Sequence, residues 1–107
     1  MQVYRQGDVL LRPVDNIPAS AKKQGSLLLR RGEHGGLHSL FSEDKSATVL
    51  VDTRTRNRET IKTKFVDAPT GARIVHGEHG AVDVPAGKYE VVVQRESQAG
   101  RTRYVVD

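Results

Sequence analysis

All four histidines of the chain lie in or beside two copies of one tetrapeptide. Gly32-Glu33-His34-Gly35 recurs as Gly77-Glu78-His79-Gly80, and each copy has a companion histidine, His38 after the first and His76 before the second. Imidazole nitrogens with carboxylates nearby suit Zn, Ni, Fe or Mn. Three protein ligands with an open position make a catalytic pattern, and four make a structural one. His34, His38, His76 and His79 are therefore candidate ligands of one divalent metal, with Glu33 and Glu78 as candidates to orient an imidazole from the second shell. Neither histidine pair sits in a helical pattern, so the two turns must meet in space. Both follow apolar runs, Leu27 to Leu29 and Ile74-Val75. If those runs are neighbouring strands of the same direction, both turns emerge at one end of a sheet. The competing reading is that Gly-Glu-His-Gly is a polar turn, bent tightly by its glycines, with exposed histidines.

A second constellation is basic. Thr53 to Arg58 reads TRTRNR. Extended, it would place Arg54, Arg56 and Arg58 on one face. With help from Arg30, Arg31, Lys62 and Lys64 this row could track phosphates, the sequence-independent part of nucleic-acid affinity. Aromatic stacking partners are few, Tyr4 and Phe65. The plainer reading is an edge strand charged against aggregation.

Other chemistries find little support. No Ser-His-Asp order, phosphate loop or Gly-x-Gly-x-x-Gly is visible, so no catalytic residue is assigned and an enzyme is disfavoured. The chain has no cysteine, which excludes disulfides and thiolate metal sites. Pro85-Ala86-Gly87 is similar to the Pro-x-Gly turn of cupins, but the cupin ligands and their order do not match. The formal net charge of +4 is compatible with an anionic partner.

The elements that must position these residues are strands. Val3 to Val14 opens with one, interrupted by a turn or bulge at Gly7-Asp8. Ala19 to Gly25 reads as a loop or, at Ser20 to Lys23, as a single helical turn, the only plausible one in the chain. Leu27 to Arg31, Leu37 to Phe41, Ala47 to Asp52, Ile61 to Val66 and Thr102 to Val106 alternate as strands do, with a turn at Ser97 to Gly100 before the last. Leu37, Ser39 and Phe41 share one face of their strand, His38 and Leu40 the other. Arg73 to Glu96 reads as a β-meander with a histidine-bearing turn at one end and a Pro85-to-Lys88 turn at the other. Eight to ten short strands over 107 residues predict a single all-β domain spanning 1–107. Its expected architecture is a compact antiparallel β-sandwich or a partly open small β-barrel with at most one short helical turn. No apolar run reaches membrane-spanning length. MQVYRQGDV lacks a signal-peptide core, so a cytoplasmic protein is the expectation.

Two phrases carry a resemblance. Arg5-Gln6-Gly7-Asp8-Val9-Leu10-Leu11 resembles the opening of a family of small uncharacterised bacterial and phage proteins. His76-x-Glu78-His79, Pro85-x-Gly87-x-Tyr89 and Gln94-Arg95-Glu96 resemble its close. The family tends to carry a Gly-His-x-His phrase, where this chain has Gly36-Leu37-His38-Ser39. The resemblance implies a fold and a histidine theme, without an activity. The functional expectation is a small all-β accessory protein, cytoplasmic or virion-associated, that binds one divalent metal. A nucleic-acid-binding module using the Arg row is the alternative. A phage structural or interaction module, pairing a protein partner through an edge strand, is a further one.

Overall fold

The computed structural model describes residues 2–32, 36–96 and 102–106. Among them are eleven strands and no helix: β1 (Tyr4–Gln6), β2 (Val9–Pro13), β3 (Lys22–Lys23), β4 (Leu28–Arg31), β5 (Leu37–Phe41), β6 (Thr48–Arg56), β7 (Glu59–Ala68), β8 (Ala72–Val75), β9 (Val82–Val84), β10 (Gly87–Glu96) and β11 (Thr102–Val106). One sheet follows the order β1-β2-β10-β7-β6-β3, with β11 also pairing β10; the other is β4-β5-β8-β9. All pairings are antiparallel. No closed barrel forms. The expected turn at Ser97 to Gly100 lies outside the described residues, as do Glu33, His34 and Gly35 of the first Gly-Glu-His-Gly turn.

The core fills the space between the two sheets. Val9, Leu11, Val49, Val66, Ala68, Tyr89 and Val91 meet Leu29, Leu40, Ile74 and Val84 from the smaller sheet. Each set comes from alternate positions, because successive strand residues point to opposite faces. Long β10 runs along the middle of the larger sheet. One edge pairs with β2; the other pairs first with β7 and then with β11.

Of the turn or bulge expected at Gly7-Asp8, the turn forms: Gly7, at φ +59°, folds β1 back on β2, so Val3 to Val14 holds two strands. Glycine takes that left-handed conformation without the steric cost a Cβ would add. Three other expectations need correction. The Ser20-to-Lys23 helical turn is absent. Lys22 and Lys23 instead pair with Val51 and Leu50 as a short edge strand, and one turn of helix without an apolar face has nothing to hold it. Arg73 to Glu96 is not a meander, since β8 and β9 belong to one sheet and β10 to the other. The Pro85-Ala86 step is a crossing between layers, with the Tyr89 hydroxyl donating to the Pro85 carbonyl at 2.7 Å. Finally, the strand expected at Ala47 to Asp52 continues to Arg56 and turns at Asn57-Arg58 into β7.

Candidate metal centre

β5 lies between β4 and β8 and runs opposite to both, so β4 and β8 share a direction. The two strands leading into the Gly-Glu-His-Gly turns are thus separated by β5 instead of adjacent. Gly32 and Gly36, which flank the undescribed part of the first turn, and the whole of the second still lie at one end of the smaller sheet. There the β1–β2 turn of the larger sheet comes down on them.

His38 is the buried member, at 1% exposure. It occupies the core-facing side of β5 with Leu40, as the alternation of that strand requires. His76 follows the last residue of β8 and is half-buried; His79 is exposed. The ring centroids lie 4.4 Å apart for His38 and His76, 4.6 Å for His76 and His79, and 5.8 Å for His38 and His79. One ligand atom from each lies within 4.8 Å of the others. A tetrahedral ion with ~2.0–2.1 Å bonds holds its ligand atoms roughly 3.4 Å apart, so loading would draw the rings in by about an ångström.

The protonation pattern of His38 follows from Gln6, which is itself buried. The Gln6 Nε2 donates to the Ile74 carbonyl at 3.0 Å and to the Gly80 carbonyl at 2.9 Å. Carbonyls only accept, so this fixes the orientation of the amide. Its Oε1 then faces His38 Nδ1 at 2.9 Å, and that nitrogen must carry the hydrogen. In the neutral ring, Nε2 is left with a bare lone pair. Burial, then the nearby His76, push the His38 pKa below the ordinary 6.5, while Asp8 pulls the other way. The neutral form, the one that binds metals, is favoured.

His76 is arranged differently. Its Nδ1 accepts the backbone N–H groups of Glu78, at 2.9 Å, and His79, at 3.2 Å. The neutral ring then carries its proton on Nε2, so His76 must release those amides before either nitrogen can ligate. Glu78 orients His76 through its backbone; its side chain is exposed.

Glycines supply the space. A Cβ on Gly7 would lie 3.0 Å from His79 Nε2 and 3.2 Å from His38 Cε1. One on Gly36 would overlap the His76 ring, and one on Gly32 would lie 3.4 Å from His76 Nε2. The second turn departs from expectation here. Gly77 and Gly80 do not take positive φ, and neither has a neighbour that a Cβ would meet.

Three residues around the centre were not assigned from sequence. Gln6 holds His38. Asp8 places Oδ1 3.4 Å from His38 Nε2, and its Oδ2 receives Arg30 Nε at 3.2 Å. Arg30 stands opposite His38 because a bulge between Leu28 and Arg30 shifts the register of β4 on β5. The only signal available was the opening phrase itself, whose Gln6, Gly7 and Asp8 all meet the histidines. The two phrases that carry the resemblance, near the two ends of the sequence, converge on this one site.

The chain matches the model of a domain of unknown function, DUF8820, over residues 5–94. It belongs to that family. The matched span contains every residue of the centre just described. No curated protein and no solved structure matches the chain.

The basic constellation lies elsewhere. From Thr53 to Lys62 the β6–β7 hairpin is exposed on both faces. Arg54 and Arg56 share a side, with Arg54 Nε donating to buried Asp52 at 2.9 Å. Arg58 does not continue the row, because it sits in the turn at φ +66° beside Asn57 at φ +51°. Lys64 is on the core-facing side with Val66. Its amine reaches across to the Leu28 and Leu29 carbonyls of β4 at 3.3 and 3.2 Å. Phe65, on the opposite side, is buried rather than available for stacking.

Proposed function

We propose that the protein binds a single divalent cation, of the Zn, Ni, Fe or Mn class, through His38, His76 and His79. The observation that carries this is the convergence of three imidazoles, from one strand and one loop, to within 4.8 Å of one another. His38 supports it further by arriving with its ligating nitrogen bare and its ring locked, as metal-bound histidines usually are. With His79 exposed, one side of the centre faces solvent, which suits an open coordination position. His34 and Glu33 complete the proposed set as a further ligand and an orienting carboxylate. The setting remains a small bacterial or phage accessory protein of the cytoplasm or virion.

Elemental analysis of untagged protein, followed by Zn and Ni titration of wild type and of His76→Ala/His79→Ala, tests the reading. Wild type should bind one equivalent, the double variant should lose it, and binding should weaken as pH falls through about 6.5. No bound metal and no metal-dependent change in melting temperature would leave two polar turns.

A second reading rests on the projecting β6–β7 hairpin. Arg54, Arg56, Arg58 and Lys62 present positive charge on an arm exposed on both faces, a form that fits a phosphate backbone. Lys64 serves the fold instead. Retention on heparin or DNA at low salt, reduced in Arg54→Ala/Arg56→Ala/Arg58→Ala, would support it; no retention of the wild type would end it.

A further inference from the structure

We propose that Asp8 is a direct ligand of the same cation, so that a carboxylate joins the imidazole donors. The inference rests on the metal reading above and adds a residue to it. Asp8 Oδ1 and His38 Nε2 face each other at 3.4 Å. The Gln6 amide assigns the single hydrogen of neutral His38 to the far nitrogen, Nδ1. Across the 3.4 Å gap, two lone pairs therefore oppose each other with no hydrogen between them. That arrangement is repulsive unless a proton or a metal cation lies between them, and a divalent cation held by the imidazoles takes the proton's place. The spacing is also what a shared tetrahedral ion imposes, since two bonds of ~2.0–2.1 Å at a tetrahedral angle separate their donors by roughly 3.4 Å.

The rest of the Asp8 carboxylate is already engaged. Arg30 holds Oδ2, leaving Oδ1 to face His38, and both side chains are mostly buried, Asp8 at 21% and Arg30 at 12% exposure. Gly7, immediately before Asp8, lets the β1–β2 turn approach His38 and His79 this closely. The chemical class follows from the donors. Three imidazoles and a carboxylate suit Zn, Fe, Mn or Ni and disfavour the thiophilic Cu(I). One more negative charge at the centre also lowers the net charge of the loaded site from +2 to +1.

Two variants test this with the metal alone. Asp8→Asn keeps an oxygen for Arg30 but removes the charge. Measured by Zn(II) competition with a chelator, it should bind about a hundredfold or more weaker than wild type, beyond the ~10–100-fold typical of outer-shell partners. Asp8→Cys, loaded with Co(II), should show a near-ultraviolet thiolate-to-cobalt charge-transfer band. The chain has no other cysteine, so that band reports position 8 alone. The proposal requires both results, and the absence of either overturns it. Should Asp8→Asn fail to fold, the cobalt band decides. Wild-type binding of Zn(II) with neither effect would overturn Asp8 while leaving the histidine centre intact. Wild type that binds no Zn(II) would overturn both.

Discussion

Gly7→Ala separates the needs of the fold from those of the site. The backbone at Gly7 has φ +59°, and an alanine there carries a left-handed penalty of about 1–2 kcal/mol. The new methyl would also stand 3.0 Å from His79 Nε2 and 3.2 Å from His38 Cε1. Contacts of this kind settle near ~3.5 Å or beyond, so the methyl must gain about 0.5 Å from His79 and about 0.3 Å from His38. His38 is fixed by Gln6 and by burial, which leaves exposed His79 to move. A shift of about 0.5 Å is the limit at which a binding constellation stays productive, and the methyl also crowds the donor nitrogen. The expected outcome is a loss of about 1–2 kcal/mol in urea denaturation and about tenfold or more in Zn(II) affinity. Gly71→Ala is the matched control. Gly71 has φ +88° and a Cβ there would meet the Val84 carbonyl at 3.0 Å, far from any histidine. It should lose comparable stability and no metal affinity. Equal Zn(II) affinities for the two variants would refute the placement of the ion between the β1–β2 turn and the histidines.

Gln6→Leu should cost about 2–4 kcal/mol by chemical denaturation, because it strands the Ile74 carbonyl and the His38 Nδ1–H in the interior; a change under about 1 kcal/mol would show that the amide is not their partner. Arg58→Gly should stabilise by about 0.5–1 kcal/mol, since the two-residue turn between Arg56 and Glu59 holds both central residues at positive φ, where glycine is at ease; a lowered melting temperature would count against that turn. The Ser20 hydroxyl, joined by Arg54, holds the Asp52 carboxyl below its ordinary pKa of 3.8. The unfolded chain then takes up this proton first as pH falls, so the contribution is complete above about 3.9 and is lost below it, through the folded value. Asp52→Asn should flatten the acid limb of a stability-against-pH curve, and an unchanged limb would refute the assignment.

Much of the fold was legible because alternation survives in the sequence wherever one face is buried. Leu37 to Phe41 was readable to the residue, including which side carries His38, since each side of that strand meets a different medium. The misreadings have physical causes. Lys22-Lys23 has no apolar pattern, and only the edge of β6 makes it a strand. Arg73 to Glu96 is locally indistinguishable from a meander, because nothing in Pro85-Ala86-Gly87 tells whether the next strand pairs with the last or crosses to the other layer. In β7 the alternation of Ile61 to Val66 holds; Val66 faces the core with Lys64, whose amine is satisfied by β4 carbonyls, and Phe65 is buried on the other side.

The site was half legible for a related reason. Histidines are rare enough that four of them around a repeated tetrapeptide stand out. The repeat, however, is not what brings them together. His38 belongs to a strand, and its neighbours His76 and His79 reach it because β5 pairs with β8. The residues that fix its ring and face its Nε2 come from 30 or more positions upstream, on the other sheet, where Gln6 and Asp8 read as an ordinary polar turn. Glutamine becomes informative only once both of its N–H groups are seen to end on carbonyls. That fact dictates the tautomer of His38, the tautomer exposes a lone pair, and the lone pair faces Asp8. A chain of inference of this kind runs through contacts between residues 68 and 74 positions apart. No local pattern records them, which is why the clustered histidines could be picked out from the sequence while the carboxylate beside His38 could not.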